Sequence, residues 1–264
     1  MRSMIVVCMP VYNEEDGIVE FLHELQASLK SFEPQFVIVD DHSSDKTPLL
    51  LKRFELNYDQ VLVLSNSENS GHGFSVMRGL DAAVALNPTL IVTCDGDGQF
   101  NGSEIASLIQ LSLNSGTPIV EGVRYGRDEP WFRRLTSFAT RVIVRVSSGK
   151  CASDANTPLR VITLSAAVSL QYKIPKNCPV PNLAISALAR SSAIEVCEVA
   201  VQSRPPRRNP SSGNHWKQKY QFLPSMRFLR FVLKALIAWL AVHRLARSLA
   251  KSRENPKGRQ SSEL

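Results

Sequence analysis

Along the first half of the chain, short apolar runs alternate with stretches in which apolar side chains return every three to four positions, a pattern of strands each followed by a helix. Met4-Ile-Val-Val-Cys-Met9 reads as a buried strand, ahead of a helix with apolar positions Ile18, Phe21, Leu22, Leu25 and Leu29. Phe36-Val-Ile-Val39 is a second strand, and its helix begins at Thr47-Pro48, a cap followed by proline at the first helical position. Val61-Leu-Val-Leu64 is a third, with a helix over Phe74 to Leu86, and Leu90-Ile-Val-Thr-Cys94 and Ile119-Val-Glu-Gly122 are the fourth and fifth. Strand and helix alternate throughout, so the pattern predicts an α/β fold with a mostly parallel sheet. In such a sheet the polar loops gather at the carboxyl ends of the strands, where ligands bind.

The fourth of these loops carries the clearest chemistry. Asp95-Gly-Asp97-Gly-Gln-Phe100 places two carboxylates one residue apart at a strand's end, and on extended backbone both point to the same face. Hard oxygen ligands of this kind suit Mg²⁺ or Mn²⁺ shared with substrate phosphates, and the flanking glycines let a phosphate approach the backbone. On its own the pair also describes a solvated Gly-rich turn. An EF-hand is excluded, because Phe100 stands where its invariant glycine belongs and Ala106 where its final glutamate belongs.

Three further loops fall at strand ends: Pro10-Val-Tyr-Asn-Glu-Glu15, Asp40-Asp41-His-Ser-Ser-Asp45 and Asn69-Ser-Gly71-His-Gly73. In order and spacing, these loops with Arg78-Gly79 and Cys94-Asp-Gly-Asp-Gly-Gln99 resemble the nucleotide-sugar-binding motifs of family-2 glycosyltransferases, especially the branch of dolichyl- and polyprenyl-phosphate sugar transferases. The resemblance continues less tightly through Gly122-Val-Arg124-Tyr-Gly-Arg127 and Ser153-Asp-Ala-Asn-Thr-Pro-Leu-Arg160. His42 departs from the pattern, standing where the family usually has glycine, although His tolerates unusual backbone angles better than most residues.

This resemblance implies a single domain of the Rossmann-like GT-A type over residues 1–208 and an inverting transfer of sugar from a UDP- or GDP-linked donor. The acceptor would be a polyprenyl phosphate or another lipid-linked or glycan molecule. Asp40 and Asp41 would face the base and ribose, with Pro10, Tyr12, Asn13, Glu15, Asn69, Gly71, Arg78, Arg127 and Arg160 also on the donor. Asp97, assisted by Asp95, would hold the metal on the diphosphate, and Arg124 would serve phosphate groups beside it. A hydroxyl acceptor would need a base, for which Asp154 is the candidate; its alternative role is a helix cap or a salt-bridge partner of Arg160.

Charge changes the picture only at the C-terminal end. Residues 204–259 hold 14 Lys or Arg against Glu254, a balance of +13, so with +7 for the whole chain the remainder is −6. The basicity therefore does not imply nucleic-acid binding by the catalytic region. Arg204-Pro-Pro-Arg-Arg208 reads as a basic loop, and residues 209–264 as its continuation into an amphipathic helix, Met226 to about Ser252, and a tail. Its uncharged stretch Ala235 to Val242 is far short of the ~20 residues a bilayer requires. A basic stripe beside Phe228, Phe231, Trp239 and Leu240 suits the surface of an anionic membrane, while packing on the domain or on a second subunit of a homo-oligomer is the alternative.

The five cysteines lack metal-ligand spacing and read as free thiols, and no signal peptide precedes the first strand. The expectation is a peripheral protein on the cytoplasmic face of a membrane. His23, His72, His215 and His243 show no metal pattern and receive no role. A nucleotidyltransferase would need a Gly-rich, Lys- or Arg-bearing first loop, unlike Pro10 to Glu15. A catalytically silent membrane adaptor with the same fold is a third reading, and the four intact acidic loops speak against it.

Overall fold

The computed structural model describes residues 3–125 and 131–207 together with Leu240, and the side chains of 131–133 and 135 fall outside that description. Its strands are β1 (Ile5–Val11), β2 (Gln35–Asp40), β3 (Val61–Ser65), β4 (Leu90–Thr93), β5 (Ile119–Tyr125), β6 (Arg160–Thr163) and β7 (Val196–Gln202). Between them lie α1 (Ile18–Ser28), α2 (Thr47–Asn57), α3 (His72–Ala85), α4 (Gly102–Ser115), α5 (Trp131–Ser148), α6 (Leu164–Gln171) and α7 (Pro181–Ser191). The sheet order is β3-β2-β1-β4-β6-β5-β7. All pairings are parallel except those of β6, which runs antiparallel to β4 and β5. The chain works outward from β1 to β3 and then returns to β4 on the other side, so the switch point lies between β1 and β4, where a doubly wound sheet opens its ligand crevice.

The central strands read as unbroken apolar runs because both faces of the sheet are covered. In β1, Val6 and Cys8 enter the core under α3, α6 and α7, joined by Val144 of α5, while Ile5, Val7, Met9 and Val11 enter the core under α1, α2 and α4. Burial pushes the Cys8 thiol up to about 12, and Cys8, Cys94 and Cys178 are buried free cysteines, as expected of packing residues.

Two local expectations need correction. Thr47 lies inside α2 and does not cap it: its Oγ1 accepts the Glu14 N–H at 2.8 Å, and Asp45 Oδ1 takes the Thr47 N–H at 2.9 Å. Helix α3 begins at His72, ahead of Phe74. No helix among the described residues is long and apolar enough to cross a membrane. Arg127 and, apart from Leu240, the helix expected over 226–252 lie outside the described residues.

Candidate active site

A cleft of about 420 Å³ opens at the switch point. Pro10, Val11, Tyr12 and Glu14 line it from β1 and its loop, Asp41 from the β2 loop, Asn69, Gly71 and His72 from the β3 loop, and Asp95, Gly96 and Asp97 from the β4 loop. The four loops thus converge, within the volume range of small-molecule sites.

On the β1–β3 side the loops hold one another through backbone N–H groups. Asp41 is buried; its Oδ1 accepts from Asn66 Nδ2 at 2.7 Å and Ser70 N at 2.9 Å, and its Oδ2 from Gly71 N at 2.9 Å. Asp40 is turned into its own loop, where Ser43 donates through N at 3.2 Å and Oγ at 2.5 Å. His42 adopts φ +60, so the turn that glycine would ease is kept by a histidine. Asn13 and Glu15 are spent on the next loop, accepting from Ser44 N at 2.8 Å and Lys46 N at 2.9 Å. It is Glu14, not Glu15, that lines the cleft. Arg78 sits in an adjoining hollow with Asn69 and Phe74, donating to Ser65 O at 2.9 Å and to Asn66 Oδ1.

The β4 loop has the electrostatics of an incomplete cation site. Asp95 Oδ1 is buried without a hydrogen-bond partner, and Asp97 Oδ1 accepts the Gln99 N–H at 3.1 Å. Burial, then the charge of Asp95, raises the Asp97 carboxyl to about 7, with Arg124 pulling more weakly the other way. Crowded carboxylates with open lone pairs fit a divalent cation. Among the described residues no third His, Cys, Asp or Glu completes a cluster, so a cation here would take its other ligands from phosphate and water, as Mg²⁺ commonly does.

Arg124 and Asp154 meet as an ion pair, Nε to Oδ2 at 2.6 Å and Nη2 to Oδ1 at 3.0 Å, with Nη2 also donating to Asn156 O at 3.0 Å. The salt-bridge alternative for Asp154 is therefore what is found, with Arg124 as the partner in place of Arg160. A carboxylate gripped this way is a poor proton acceptor until the fork releases it.

Residues 6–167 match the pattern of Glycosyl transferase family 2. The chain belongs to that family. It is 29% identical over 197 residues to an undecaprenyl-phosphate 4-deoxy-4-formamido-L-arabinose transferase of Edwardsiella ictaluri, covering 74% of this chain and 59% of the relative. The chain thus spans about three fifths of the length of that curated relative. A glucosyl-3-phosphoglycerate synthase of Mycobacterium tuberculosis, solved with Mn²⁺, UDP and glucosyl-3-phosphoglycerate, shares the fold with a TM-score of 0.62 at 15% identity, over 92% of this chain and 80% of that one. A mannosyltransferase of Pyrobaculum calidifontis, solved with GDP-Man and Mn²⁺, does so with a TM-score of 0.56 at 16% identity, over 96% of this chain and 76% of that one.

For this family-2 chain the structure revises one expected donor contact. Arg160 is fully buried, donating to Glu121 Oε1 (2.9 Å), Asn182 Oδ1 (3.1 Å), Asn182 O (2.9 Å), Ser186 Oγ (2.8 Å) and Thr157 O, which leaves no N–H for a phosphate. Arg190 reaches the other Glu121 oxygen at 2.8 Å and Glu198 at 2.7 Å. Burial pushes the Glu121 carboxyl up, but the charges of Arg160 and Arg190 outweigh it and hold the group below the usual range. This network anchors the loop that carries Asp154: Glu198 accepts from Ser153 N at 3.0 Å, and Thr157 Oγ1 donates to Gly122 O at 2.6 Å.

Sequence reasoning also missed the strap formed by residues 203–207. The carbonyls of the β4 loop from Asp97 to Phe100 are all held by it: Arg207 N donates to Asp97 O at 2.9 Å, Arg204 Nε to Gly98 O at 2.5 Å, Arg204 N to Gln99 O at 3.0 Å and Arg204 Nη2 to Phe100 O at 3.1 Å. Glu24 of α1 closes the clamp, receiving Arg204 Nη2 at 2.7 Å, Gly102 N at 2.7 Å and Arg207. Gly98 has φ +71, a conformation that L side chains rarely adopt, and a Cβ there would crowd the Arg207 side chain at 3.0 Å. Arg204 and Arg207, expected in a basic loop, are thus internal ion-pair partners. His72, given no role from sequence, has Nε2 at 3.8 Å from Asp95 Oδ1. Its place directly after Gly71, at the start of a helix after a strand, was the available signal.

Proposed function

We propose that this chain is an inverting glycosyltransferase that moves a sugar from a nucleoside-diphosphate sugar, UDP- or GDP-linked, to a polyprenyl phosphate. The observation that carries this reading is the convergence of Asp41, Asn69, Gly71, Asp95 and Asp97 on one cleft at the switch point. Similarity to the undecaprenyl-phosphate sugar transferase of Edwardsiella supports a polyprenyl-phosphate acceptor, and the nucleotide complexes of the fold relatives support the donor class.

In the proposed step an acceptor phosphate oxygen attacks the anomeric carbon, the bond to the diphosphate oxygen breaks, and the nucleoside diphosphate leaves. One displacement inverts that centre without a covalent enzyme intermediate. A Mg²⁺ or Mn²⁺ ion on Asp97 and Asp95, when bound, supplies positive charge to the departing diphosphate. Asp41 fixes the 66–71 loop, and through it Asn69 and Gly71, so that the β3 loop meets the nucleotide in one shape. Tyr12 offers a half-exposed ring at the cleft wall, and His72 a donor at the start of α3. Arg124, held by Asp154 and close enough to Asp97 to influence its charge, is placed to attract the acceptor phosphate. A phosphate nucleophile needs no base, so the pairing of Asp154 with Arg124 is compatible with turnover.

The proposed location is the cytoplasmic face of a membrane, with residues 224–264 contributing to attachment. Incubating the chain with Mn²⁺, labelled UDP- or GDP-sugars and a polyprenyl phosphate tests the reading. Labelled lipid and released nucleoside diphosphate are expected in equal amounts. Nucleotide binding without any sugar transfer or diphosphate release would favour the silent adaptor.

A further inference from the structure

Among the described residues, helix α5 is anchored on one side. Val144 and Ser147 are buried, Ile143 packs on the same core, and Ser191 of α7 donates to Ser147 O at 3.4 Å. On the other side Phe138 is 57%, Val142 41% and Val146 53% exposed. Their spacing of four residues makes a stripe along one face of the helix, about 6 Å per step. Arg134, Arg141 and Arg145 are exposed beside it, and the helix contains no Asp or Glu. Tyr125, at the end of β5, is a further exposed aromatic at 52%. It follows Arg124 directly, and six peptide units to Trp131 keep the start of α5 within roughly 20 Å of it.

We infer that this face of α5 docks on an anionic lipid surface, bringing the end of β5 that carries Arg124 toward the membrane that holds the acceptor. The inference rests on the proposed lipid-linked acceptor. An aromatic and aliphatic stripe flanked by arginines, with no acidic residue, has the chemistry of a helix lying in the headgroup region. Two other occupants are disfavoured by charge. A second copy would bring the same arginines against these across a two-fold interface. The chain's own segment 226–252 carries Arg227, Arg230, Lys234, Arg244, Arg247 and Lys251, and would repel them as well.

The test uses the full chain, vesicles of phosphatidylcholine with or without phosphatidylglycerol, and two variants, Phe138→Gln/Val142→Gln and Arg141→Gln/Arg145→Gln. All four side chains are exposed, so the fold should tolerate the changes. The wild type is expected to float with the anionic vesicles and to release as salt rises. Each variant should bind about tenfold more weakly or worse. Equal partitioning of wild type and variants would overturn the inference, as would a wild type that ignores anionic vesicles or a first variant that turns a dimer into a monomer. Binding of UDP or GDP with Mn²⁺, measured without vesicles, reports separately on the cleft. Its loss in the wild type would refute the transferase reading and leave the lipid result to stand alone.

Discussion

On the β1–β3 side of the cleft, carboxylates are held mainly by backbone N–H groups and small polar side chains: Asp41 by the 66–71 loop, Asp40 by Ser43, Glu15 by Lys46 N. The arginines that lie beyond β4 in the chain hold a second set: Glu121 by Arg160 and Arg190, Asp154 by Arg124, and Glu24 of α1 by Arg204 and Arg207. The first arrangement shapes a pocket while keeping its negative charge confined to short loops. The second cancels charge in the interior and fixes the loops that carry Asp154 and Asp97. Losing an N–H acceptor loosens one loop, whereas losing one member of a buried ion network strands the others.

The largest effect should come where neither arrangement satisfies the carboxylates. Asp97→Asn is expected to cut sugar transfer about 10⁴-fold, consistent with a metal contribution of several kcal/mol, and EDTA should silence the wild type likewise. Transfer that persists in EDTA would remove the metal from the account. Next in size is Glu121→Ala, which leaves Arg160 and Arg190 buried without their shared partner. It should cost about 3–5 kcal/mol of stability and lower the melting temperature by on the order of 10 °C. A drop below about 3 °C would mean that water or Glu198 replaces the lost carboxylate.

On the other side, Asp41→Ala frees the N–H groups of Ser70 and Gly71 and should weaken nucleoside-diphosphate binding by about 1–3 kcal/mol, with a smaller loss of stability. Calorimetry showing unchanged affinity would break the link between that loop and the nucleotide. Arg204→Ala should raise the Mn²⁺ concentration for half-maximal nucleotide binding about tenfold, because the carbonyls that shape the Asp97 loop lose their donors. An unchanged Mn²⁺ dependence would reduce the strap to a structural tie.

The smallest effect is a stability difference with pH. The Asp97 carboxyl is raised to about 7 from an ordinary value of 3.8. The folded state therefore favours the protonated form, and stability is lost as pH rises from about 4 through 7. Asp97→Asn should be more stable than wild type at pH 8, by on the order of 1–2 kcal/mol, and about equally stable at pH 4, as read from melting curves at the two pH values. A variant no more stable at pH 8 would mean that neither burial nor the charge of Asp95 penalises the Asp97 carboxylate.

The β1–β3 side was largely legible because its determinants are local: apolar strands end in short polar loops, and the strand ends bring Asp41, Asn69, Gly71, Asp95 and Asp97 together. What stayed hidden depended on side-chain direction or on distant partners. Glu14 and Glu15 are indistinguishable in sequence, yet one lines the cleft and the other ties back a loop. Arg160 looks like a phosphate ligand until Glu121 is found opposite it on β5. Arg204 belongs to a charge run that reads as solvated, and its partner Glu24 lies 180 residues earlier in the chain. The amphipathic face of α5 went unread because its apolar residues, taken alone, also describe a core helix.

The central claim is that the Asp95–Asp97 pair holds a divalent ion that binds the donor's diphosphate. Calorimetric titration of UDP and of GDP into the full chain, with Mn²⁺ and then with EDTA, tests it most directly. At least one nucleotide should bind about tenfold or more tightly with Mn²⁺ and release a proton to the solvent near pH 6.5, as the metal displaces it from the Asp97 carboxyl. Equal affinity with Mn²⁺ and with EDTA for both nucleotides would contradict the claim.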